Sequence, residues 1–232
     1  MKSAVVMSTG RARLPGRDKS LGRAMLIGCT LLLGVKLAHA QDIDAASRLA
    51  AERVAIGTCA NCHGPQGHSY SPKFPVLAGQ QATYLIAQLQ GFKAQSRGDA
   101  DAVGYMWGMA APLDDSEIAG LAGYYSRQTP RAGLVGDAAL IARGKDIYQN
   151  GDGAHGIPPC SACHGPAAAG TPGTEGAAGF PRLAGQHVQY LMKQLRSFQN
   201  NMRNVAVMHG VAAGLQVGDM QAVATYLQSL GP

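Results

Sequence analysis

Apolar residues recur with helical spacing close to the end of each half of the chain. These positions are Ile118, Leu121, Ala122 and Tyr125 in the first half and Met220, Val223, Ala224 and Leu227 in the second. Each set follows the i, i+3, i+4, i+7 spacing of one buried helix face. Asp114, with Glu117 three residues later, predicts a capping box at the start of the first of these helices. Because no stretch alternates apolar and polar residues as a strand does, the pattern predicts an all-α fold.

The second half of the chain repeats the first. Residues 74–80, Phe-Pro-Val-Leu-Ala-Gly-Gln, return as Phe-Pro-Arg-Leu-Ala-Gly-Gln at 180–186, and a helix is predicted to begin after each copy. The helical residues that follow also return, Tyr84, Leu85, Gln88, Leu89 and Phe92 as Tyr190, Leu191, Gln194, Leu195 and Phe198. A period near 100 residues indicates two homologous domains and not a solenoid. We place these domains at residues 41–130 and 131–232, because the stretch 127–136 contains the proline and glycines of a linker.

A cysteine motif occurs once in each domain. The pattern Cys-x-x-Cys-His is formed by Cys59, Cys62 and His63 and again by Cys160, Cys163 and His164. This spacing is the attachment signal for c-type haem, in which both thiols bond to the haem and the histidine binds its iron. A zinc site would need two Cys-x-x-Cys pairs about 15–20 residues apart, and a redox dithiol would need a neighbouring βαβ pattern. We therefore predict two covalently bound haem c groups, with zinc and dithiol chemistry as the alternatives. Asp44 and Asp137 are the predicted starts of the helices that lead to the motifs.

Two methionines are the predicted second ligands of the haem irons. Because the histidine takes one axial position, the residue at the other position separates electron carriers from catalysts. Met106 and Met208 each lie seven residues before the leucine that precedes the last helix of their half, and the duplication aligns them. Met109 is the rival in the first half, although it aligns with Val211. His209 is an alternative ligand in the second half but has no counterpart in the first.

Two prolines are predicted to orient the haem histidines. Pro75 follows His63 by twelve residues, and Pro181 occupies the same place in the repeat. A metal-bound histidine normally donates its other ring N–H to a carbonyl or carboxylate. We therefore predict that the backbone carbonyl groups of these prolines accept that hydrogen bond. The alternative is that the prolines only stiffen the loop, and the two roles are compatible.

The first forty residues have the organisation of a secretory signal peptide. Residues 1–40 contain a basic region, an apolar run at 24–35 and the small-x-small cleavage site Ala38-His39-Ala40. The apolar run is shorter than the stretch of about 20 residues that a transmembrane helix needs. We predict export to the periplasm and cleavage before Gln41. An uncleaved membrane anchor and lipidation at Cys29 are the alternatives.

The rest of the chain is electrically balanced. The protein has 20 Lys and Arg and 14 Asp and Glu, but residues 41–232 hold 13 of each kind of charge. No basic excess remains to bind nucleic acid, so that class of protein is excluded. All four cysteines of this part belong to the two haem motifs, which leaves none for a disulfide.

The motifs resemble the class I cytochromes c within each half and the dihaem cytochrome c4 family across both halves. The residues that carry the resemblance are Cys-Ala-Asn-Cys-His-Gly at 59–64, Gly-Ile-Pro-Pro-Cys-Ser-Ala-Cys-His-Gly-Pro at 156–166 and Phe-Pro-Arg-Leu-Ala-Gly-Gln at 180–186. The resemblance runs from about residue 45 to the C-terminus and implies two helical cytochrome c folds that face each other. Each would be wrapped around a haem with His/Met ligation. The second half departs from the pattern in a longer loop after His164, which we predict to lie on the surface without a catalytic role.

The resemblance also implies a periplasmic electron carrier that is not an enzyme. Its partners would be redox proteins, either a membrane oxidase or reductase complex or a dehydrogenase subunit, with electrons passing toward a terminal oxidase. Peripheral contact with the membrane is compatible with this role. The main alternative is a dihaem cytochrome subunit of a larger dehydrogenase, such as flavocytochrome c sulfide dehydrogenase. A dihaem peroxidase would need an iron open to peroxide, and the two aligned methionines argue against it.

The signal-peptide prediction is tested by the N-terminus of the purified protein. We expect mass spectrometry and N-terminal sequencing to find a chain that begins at Gln41, because the small residues at 38 and 40 suit the signal peptidase. A chain that begins at Met1 or at a lipidated Cys29 would contradict the prediction.

Overall fold

The computed structural model describes residues 45–174 and 177–232. The helices of the first half are α1 (Ala45–Val54), α2 (Ala60–His63), α3 (Ala82–Lys93), α4 (Trp107–Ala110) and α5 (Asp115–Ser126). Wider π-helical turns at Ala55–Cys59 and Ala102–Met106 run directly into α2 and α4, and a 3-10 turn at Pro65–Gly67 follows α2. The first cysteine motif therefore lies on a continuation of α1.

The second half repeats this order with a broken first segment. Its helices are α6 (Ala138–Asn150), α7 (Ser161–His164), α8 (Val188–Gln199), α9 (Ala206–Ala213) and α10 (Val217–Ser229). A 3-10 turn at Gly153–His155 separates α6 from α7. The strands β1 (Thr171–Pro172) and β2 (Gly179–Phe180) pair antiparallel, with Thr171 opposite Phe180. The all-α prediction is confirmed, and the short ladder went unpredicted because two residues per strand leave no alternating pattern.

Helix starts coincide with the polar residues that the sequence indicates. The Asp114 carboxylate accepts a hydrogen bond from the Glu117 N–H at 2.8 Å, and the Glu117 carboxylate accepts from the Asp114 N–H at 2.9 Å. The predicted capping box is therefore confirmed. Asp137 caps α6 by accepting from the Leu140 N–H at 2.9 Å. Each bond satisfies a backbone donor that the first helical turn leaves free. Asp44 lies outside the described residues.

Each half has its own hydrophobic core. In the first half α5 packs against α1 and α3, and in the second half α10 packs against α6 and α8. The eight apolar positions that the helical spacing selects in α5 and α10 are all buried. Full burial of each large side chain among them contributes about 1.5–3 kcal/mol to stability. The last helix of each half is thus its central packing element.

The first and last helices of each half cross at a contact that requires a glycine. In the first half, a Cβ on Gly120 of α5 would lie 2.5 Å from the Cβ of Ala51 in α1. In the second half, a Cβ on Gly144 of α6 would lie 2.0 Å from the carbonyl oxygen of Ala222 in α10. Both separations are shorter than real Cβ contacts allow. Each crossing therefore pairs one glycine with one alanine. The glycine belongs to the last helix of the first half and to the first helix of the second half.

Two glutamines join the halves reciprocally. The Gln80 side chain donates from Nε2 to the Arg182 carbonyl at 3.0 Å and accepts from the Arg182 N–H at 2.8 Å. The Gln186 side chain donates to the Val76 carbonyl at 3.0 Å and accepts from the Val76 N–H at 2.9 Å. These residues are equivalent in the two copies of the repeated heptapeptide, so the contact has pseudo-two-fold symmetry. Both glutamines are buried, where an unmade hydrogen bond costs about 1–3 kcal/mol.

The loop after His164 also contacts the first half. The Gly173 N–H donates to the Thr83 hydroxyl at 3.0 Å, and that hydroxyl donates to the Ala178 carbonyl at 3.2 Å. Much of the loop is exposed, as the sequence predicts. Its attachment to α3 was not predicted, because the partner residue lies about 90 positions earlier in the chain.

Three predictions depend on segments between or before these elements. The boundary predicted at 127–136 lies between α5 and α6, where no helix forms, and the two domain limits stay predictions. The predicted signal peptide, residues 1–40, and the cleavage site before Gln41 lie outside the described residues. Within residues 45–174 and 177–232, no helix has both the length and the apolar character needed to cross a membrane.

The helix crossing in the second half yields a stability prediction. Gly144→Ala is expected to lower the free energy of unfolding by about 1–3 kcal/mol, because its Cβ would overlap the Ala222 carbonyl. Gly218→Ala is the matched control, since a Cβ on Gly218 of α10 meets nothing within 4 Å. The control is expected to be neutral or slightly stabilising. Thermal unfolding of the haem-loaded protein measures both, and an equal midpoint for the two variants would contradict the crossing.

Candidate haem sites

The cysteines of each motif lie one helical turn from the histidine or beside it. Cys59 ends the π-helical turn after α1, while Cys62 and His63 are the last residues of α2. In the second half Cys160 immediately precedes α7, whose last residues are Cys163 and His164. The first cysteine of each pair is half-buried and the second is exposed. Each motif therefore offers two thiols and one imidazole from a single helical segment.

Both histidines donate to the proline carbonyls named from the sequence. His63 Nδ1 lies 3.0 Å from the Pro75 oxygen, and His164 Nδ1 lies 3.0 Å from the Pro181 oxygen. A carbonyl oxygen only accepts, so the proton of each ring is on Nδ1. Nε2 therefore keeps its lone pair. An imidazole held in this way is in the tautomer that binds a metal through Nε2.

Burial favours the neutral form of both imidazoles. Desolvation lowers the pKa of His63 and of His164, although the hydrogen bond to the proline carbonyl opposes part of this effect. A metal ligand must be the deprotonated, neutral imidazole, so the environment favours the binding form. Together with two thiols on the same helical segment, this donor set fits a covalently attached haem.

An aromatic ring lies beside each histidine. The Phe74 ring meets His63 edge-on, with ring centroids 6.2 Å apart, and Phe180 meets His164 in the same way at 6.0 Å. Each phenylalanine precedes the proline whose carbonyl the histidine binds. The sequence did not lead us to predict that these phenylalanines lie beside the haem histidines. Their shared position at the start of the repeated heptapeptide is a signal that could have indicated it.

The first cysteine of each motif is in an apolar environment. Burial raises the pKa of the Cys59 thiol, and it raises the pKa of Cys160 to about 11. Redox-active dithiols instead have a lowered thiol pKa, because the thiolate is the reactive species. The electrostatics of these sites therefore disfavour the dithiol alternative.

The proposed methionine ligands lie on separate segments from the histidines. Met106 is the last residue of the π-helical turn before α4; it is half-buried and packs against the first core. Met208 lies in α9 and is also half-buried. The rival Met109 is 55% exposed. Their equivalent positions and similar burial agree with the alignment of Met106 and Met208, but neither forms a contact that by itself assigns it to iron.

Other histidines have different surroundings. His187 is buried and its Nε2 is 3.0 Å from the Ser69 carbonyl, which is a contact between the halves. His209 Nδ1 lies 2.8 Å from the Phe198 carbonyl oxygen, so a hydrogen bond occupies one of its two ring nitrogens. In the part of the chain that the structure describes, no group of three or more His, Cys, Asp or Glu residues is placed to hold a metal ion by itself.

Comparison with known proteins identifies both halves. The family model for cytochrome c matches residues 43–126 and 141–231. Cytochrome c4 of Azotobacter vinelandii is 38% identical over 216 residues, covering 88% of this chain and 98% of that protein. A thiosulfate dehydrogenase electron acceptor of Stutzerimonas stutzeri (strain A1501) is 32% identical over 217 residues, covering 89% of this chain and 94% of that protein. The crystal structure of reduced recombinant cytochrome c4 from Pseudomonas stutzeri matches at 36% identity with a TM-score of 0.68, covering 81% of this chain and 98% of that chain.

These matches resolve the choice that the cysteine motifs left open. Two tandem cytochrome c domains imply two covalently bound haem c groups, so the zinc and dithiol alternatives are discarded. The cytochrome c4 relatives are electron-transfer proteins and not enzymes, which confirms the predicted class. The chain belongs to the cytochrome c family, as a dihaem electron-transfer cytochrome of the cytochrome c4 type.

Proposed function

We propose that each half binds one haem c through its cysteine motif and uses the motif histidine as an iron ligand. The thiols of Cys59 and Cys62 would hold the first haem, and those of Cys160 and Cys163 the second. His63 and His164 would each bind iron through Nε2. The observation that carries this assignment is the matched pair of 3.0 Å hydrogen bonds from the two imidazoles to Pro75 and Pro181.

Met106 and Met208 are the proposed sixth ligands. Their support is the alignment of the repeats and the similar half-buried position of both side chains. A thioether ligand raises the reduction potential of a haem and closes the iron to substrates. When bound, the haem iron supplies reversible one-electron transfer. The chain would supply the rest: fixed ligand orientation, an apolar environment and exclusion of water.

The proposed role is to carry electrons in the periplasm between respiratory-chain partners and toward a terminal oxidase. Residues 41–130 have six Lys and Arg against eight Asp and Glu, whereas residues 131–232 have seven against five. The two halves therefore differ by four formal charges (−2 against +2), and the propionates of the two haems would add equal negative charge to both. This difference favours different docking partners on the two halves, because complementary charge steers encounter. An electron donor and an acceptor could then be distinguished by the half that each one meets.

A second candidate function is to accept electrons from one particular dehydrogenase. Relatives of this chain include thiosulfate dehydrogenase electron acceptors, one of them similar over 89% of the chain. In this case the protein would receive electrons from that kind of enzyme, or remain bound as its cytochrome subunit, as in flavocytochrome c sulfide dehydrogenase. A permanent subunit would co-migrate with its enzyme in gel filtration, whereas a free carrier would not.

The ligand assignment predicts how substitutions open the haems. The unaltered protein is expected to show two low-spin haems and to bind no carbon monoxide when reduced. Met106→Ala and Met208→Ala are each expected to bind one molar equivalent, because the substitution vacates one axial position. Met109→Ala is the matched control and should bind none. Carbon monoxide difference spectra measure the stoichiometry, and a Met208→Ala protein that binds no carbon monoxide would disprove the assignment.

The proposed direction of electron flow is tested by stopped-flow spectroscopy. Reduced protein mixed with membranes of the bacterium that makes it should be oxidised rapidly by oxygen, and cyanide should block the reaction by inhibiting the terminal oxidase. If the membranes leave the protein reduced, the terminal-oxidase direction is wrong. Rapid reduction by thiosulfate in the presence of a thiosulfate dehydrogenase, and not in its absence, would favour the second candidate.

A further inference from the structure

The segment that leads to Met106 differs from its counterpart in the second half. Thirteen residues separate Phe92 from Met106, whereas nine separate Phe198 from Met208. The longer segment ends in the π-helical turn Ala102–Met106, which begins after Asp101, while Met208 lies within α9. We call residues 101–106 the methionine turn. Contacts of this turn that have no counterpart in the repeat indicate what is specific to the first haem.

A lysine of the second half binds the start of the methionine turn. Lys193 in α8 donates from Nζ to the Asp101 carboxylate. The ion pair is partly buried, with 34% of the lysine side chain and 22% of the aspartate side chain exposed. The backbone just before the turn is also bound across the interface, because the Gly98 N–H donates to the Met202 carbonyl at 2.9 Å. The start of the turn is therefore anchored to the second half.

A second lysine binds the other end of the turn. Lys73 Nζ lies 2.5 Å from the Tyr105 hydroxyl oxygen and 4.4 Å from the centroid of the Tyr105 ring. The Tyr105 ring meets the Phe74 ring edge-on, with centroids 5.8 Å apart, and Phe74 lies beside His63. A continuous series of contacts therefore joins the residue before Met106 to the proposed histidine ligand.

The second half has uncharged residues at the positions of both lysines. The repeat aligns Gly179 with Lys73, Ala87 with Lys193 and Val207 with Tyr105. None of these three side chains can form an ion pair or a hydrogen bond. Val207 is 62% exposed and Phe180 is 38% exposed, so the ring beside the second histidine is less covered than its half-buried counterpart. The segment before Met208 therefore lacks both lysine contacts.

The two methionine segments share a different anchor, which lies within each half. Trp107 Nε1 donates to the Arg97 carbonyl at 2.9 Å, and His209 Nδ1 lies 2.8 Å from the Phe198 carbonyl oxygen. Trp107 and His209 each follow a proposed methionine ligand directly. Since this anchor is common to the two halves, the lysine contacts are an addition in the first half.

A methionine can leave an iron only if its segment moves away from the haem, which is a local opening of the structure. Contacts that exist only in the closed form make this opening less favourable. We propose that Lys73 and Lys193 are positioning residues that hold Met106 against the first haem iron. This inference rests on the iron ligands proposed above. The first haem is then closed to added ligands more firmly than the second, and the docking of the two halves controls that closure.

The test measures how fast each methionine leaves its iron. Oxidised, haem-loaded protein is mixed with cyanide, and the rate of the spectral change is followed as the cyanide concentration rises. At saturating cyanide the rate equals that of methionine dissociation, because the axial position must open before cyanide binds. Met106→Ala and Met208→Ala assign the two phases, since each variant removes the opening step at one haem.

Lys193→Met and Lys73→Met are the key variants. We expect each to accelerate cyanide binding at the first haem by about two- to fivefold, because contacts of partly exposed charges are individually weak. The rate at the second haem should not change. Lys193→Arg should restore the unaltered rate, since it keeps a positive charge beside Asp101. Lys145→Met is the matched control and should have no effect, because it removes one charge from an exposed position in α6.

Two results would overturn the inference. The first is cyanide binding at the first haem that is as slow in both key variants as in the control. The second is an equal acceleration at both haems, which would show a general loosening of the protein. Failure of the ligand assignment is distinguishable, because Met106→Ala would then leave the cyanide kinetics of both haems unchanged.

Discussion

The hydrogen bond from each motif histidine to a proline carbonyl is the interaction on which the rest of this structure depends. It fixes the tautomer and the orientation of the ring, so the nitrogen that remains to bind iron is Nε2. The same heptapeptide that supplies Pro75 also supplies Phe74, Val76 and Gln80, which contact the histidine or the other half. Ligand orientation and domain docking are therefore mechanically coupled. A displacement of this segment would disturb both.

Features set by short-range pattern could be predicted from the sequence. The buried faces of the last helix in each half follow from the spacing of apolar residues alone, because residues three or four positions apart lie on the same face of a helix. The cap at Asp114 depends on a residue three positions away, and the Pro75 carbonyl lies twelve residues from His63. The duplication added a second, independent copy of each signal. It was the comparison of copies that separated Met106 from Met109.

Features set by the docking of the two halves could not be predicted. The contact between Gln80 and Arg182 joins residues that are 102 positions apart, and no local sequence pattern indicates it. His187 is buried, and its Nε2 lies 3.0 Å from the carbonyl oxygen of Ser69, which is 118 positions earlier in the chain. The positive charge of Arg203 would ordinarily indicate an exposed residue, yet its side chain is among the most buried cations in the described part of the chain. Burial at an interface depends on shape complementarity, which a single sequence does not display.

The exchanged glycine and alanine at the helix crossings bear on the history of the duplication. The first half pairs Ala51 with Gly120, and the second pairs Gly144 with Ala222. A side chain on the glycine would meet the Ala51 methyl group in the first half but the Ala222 backbone in the second. The two copies have therefore diverged in which helix carries the glycine and in what that glycine approaches. The two domains are homologous without being interchangeable helix for helix.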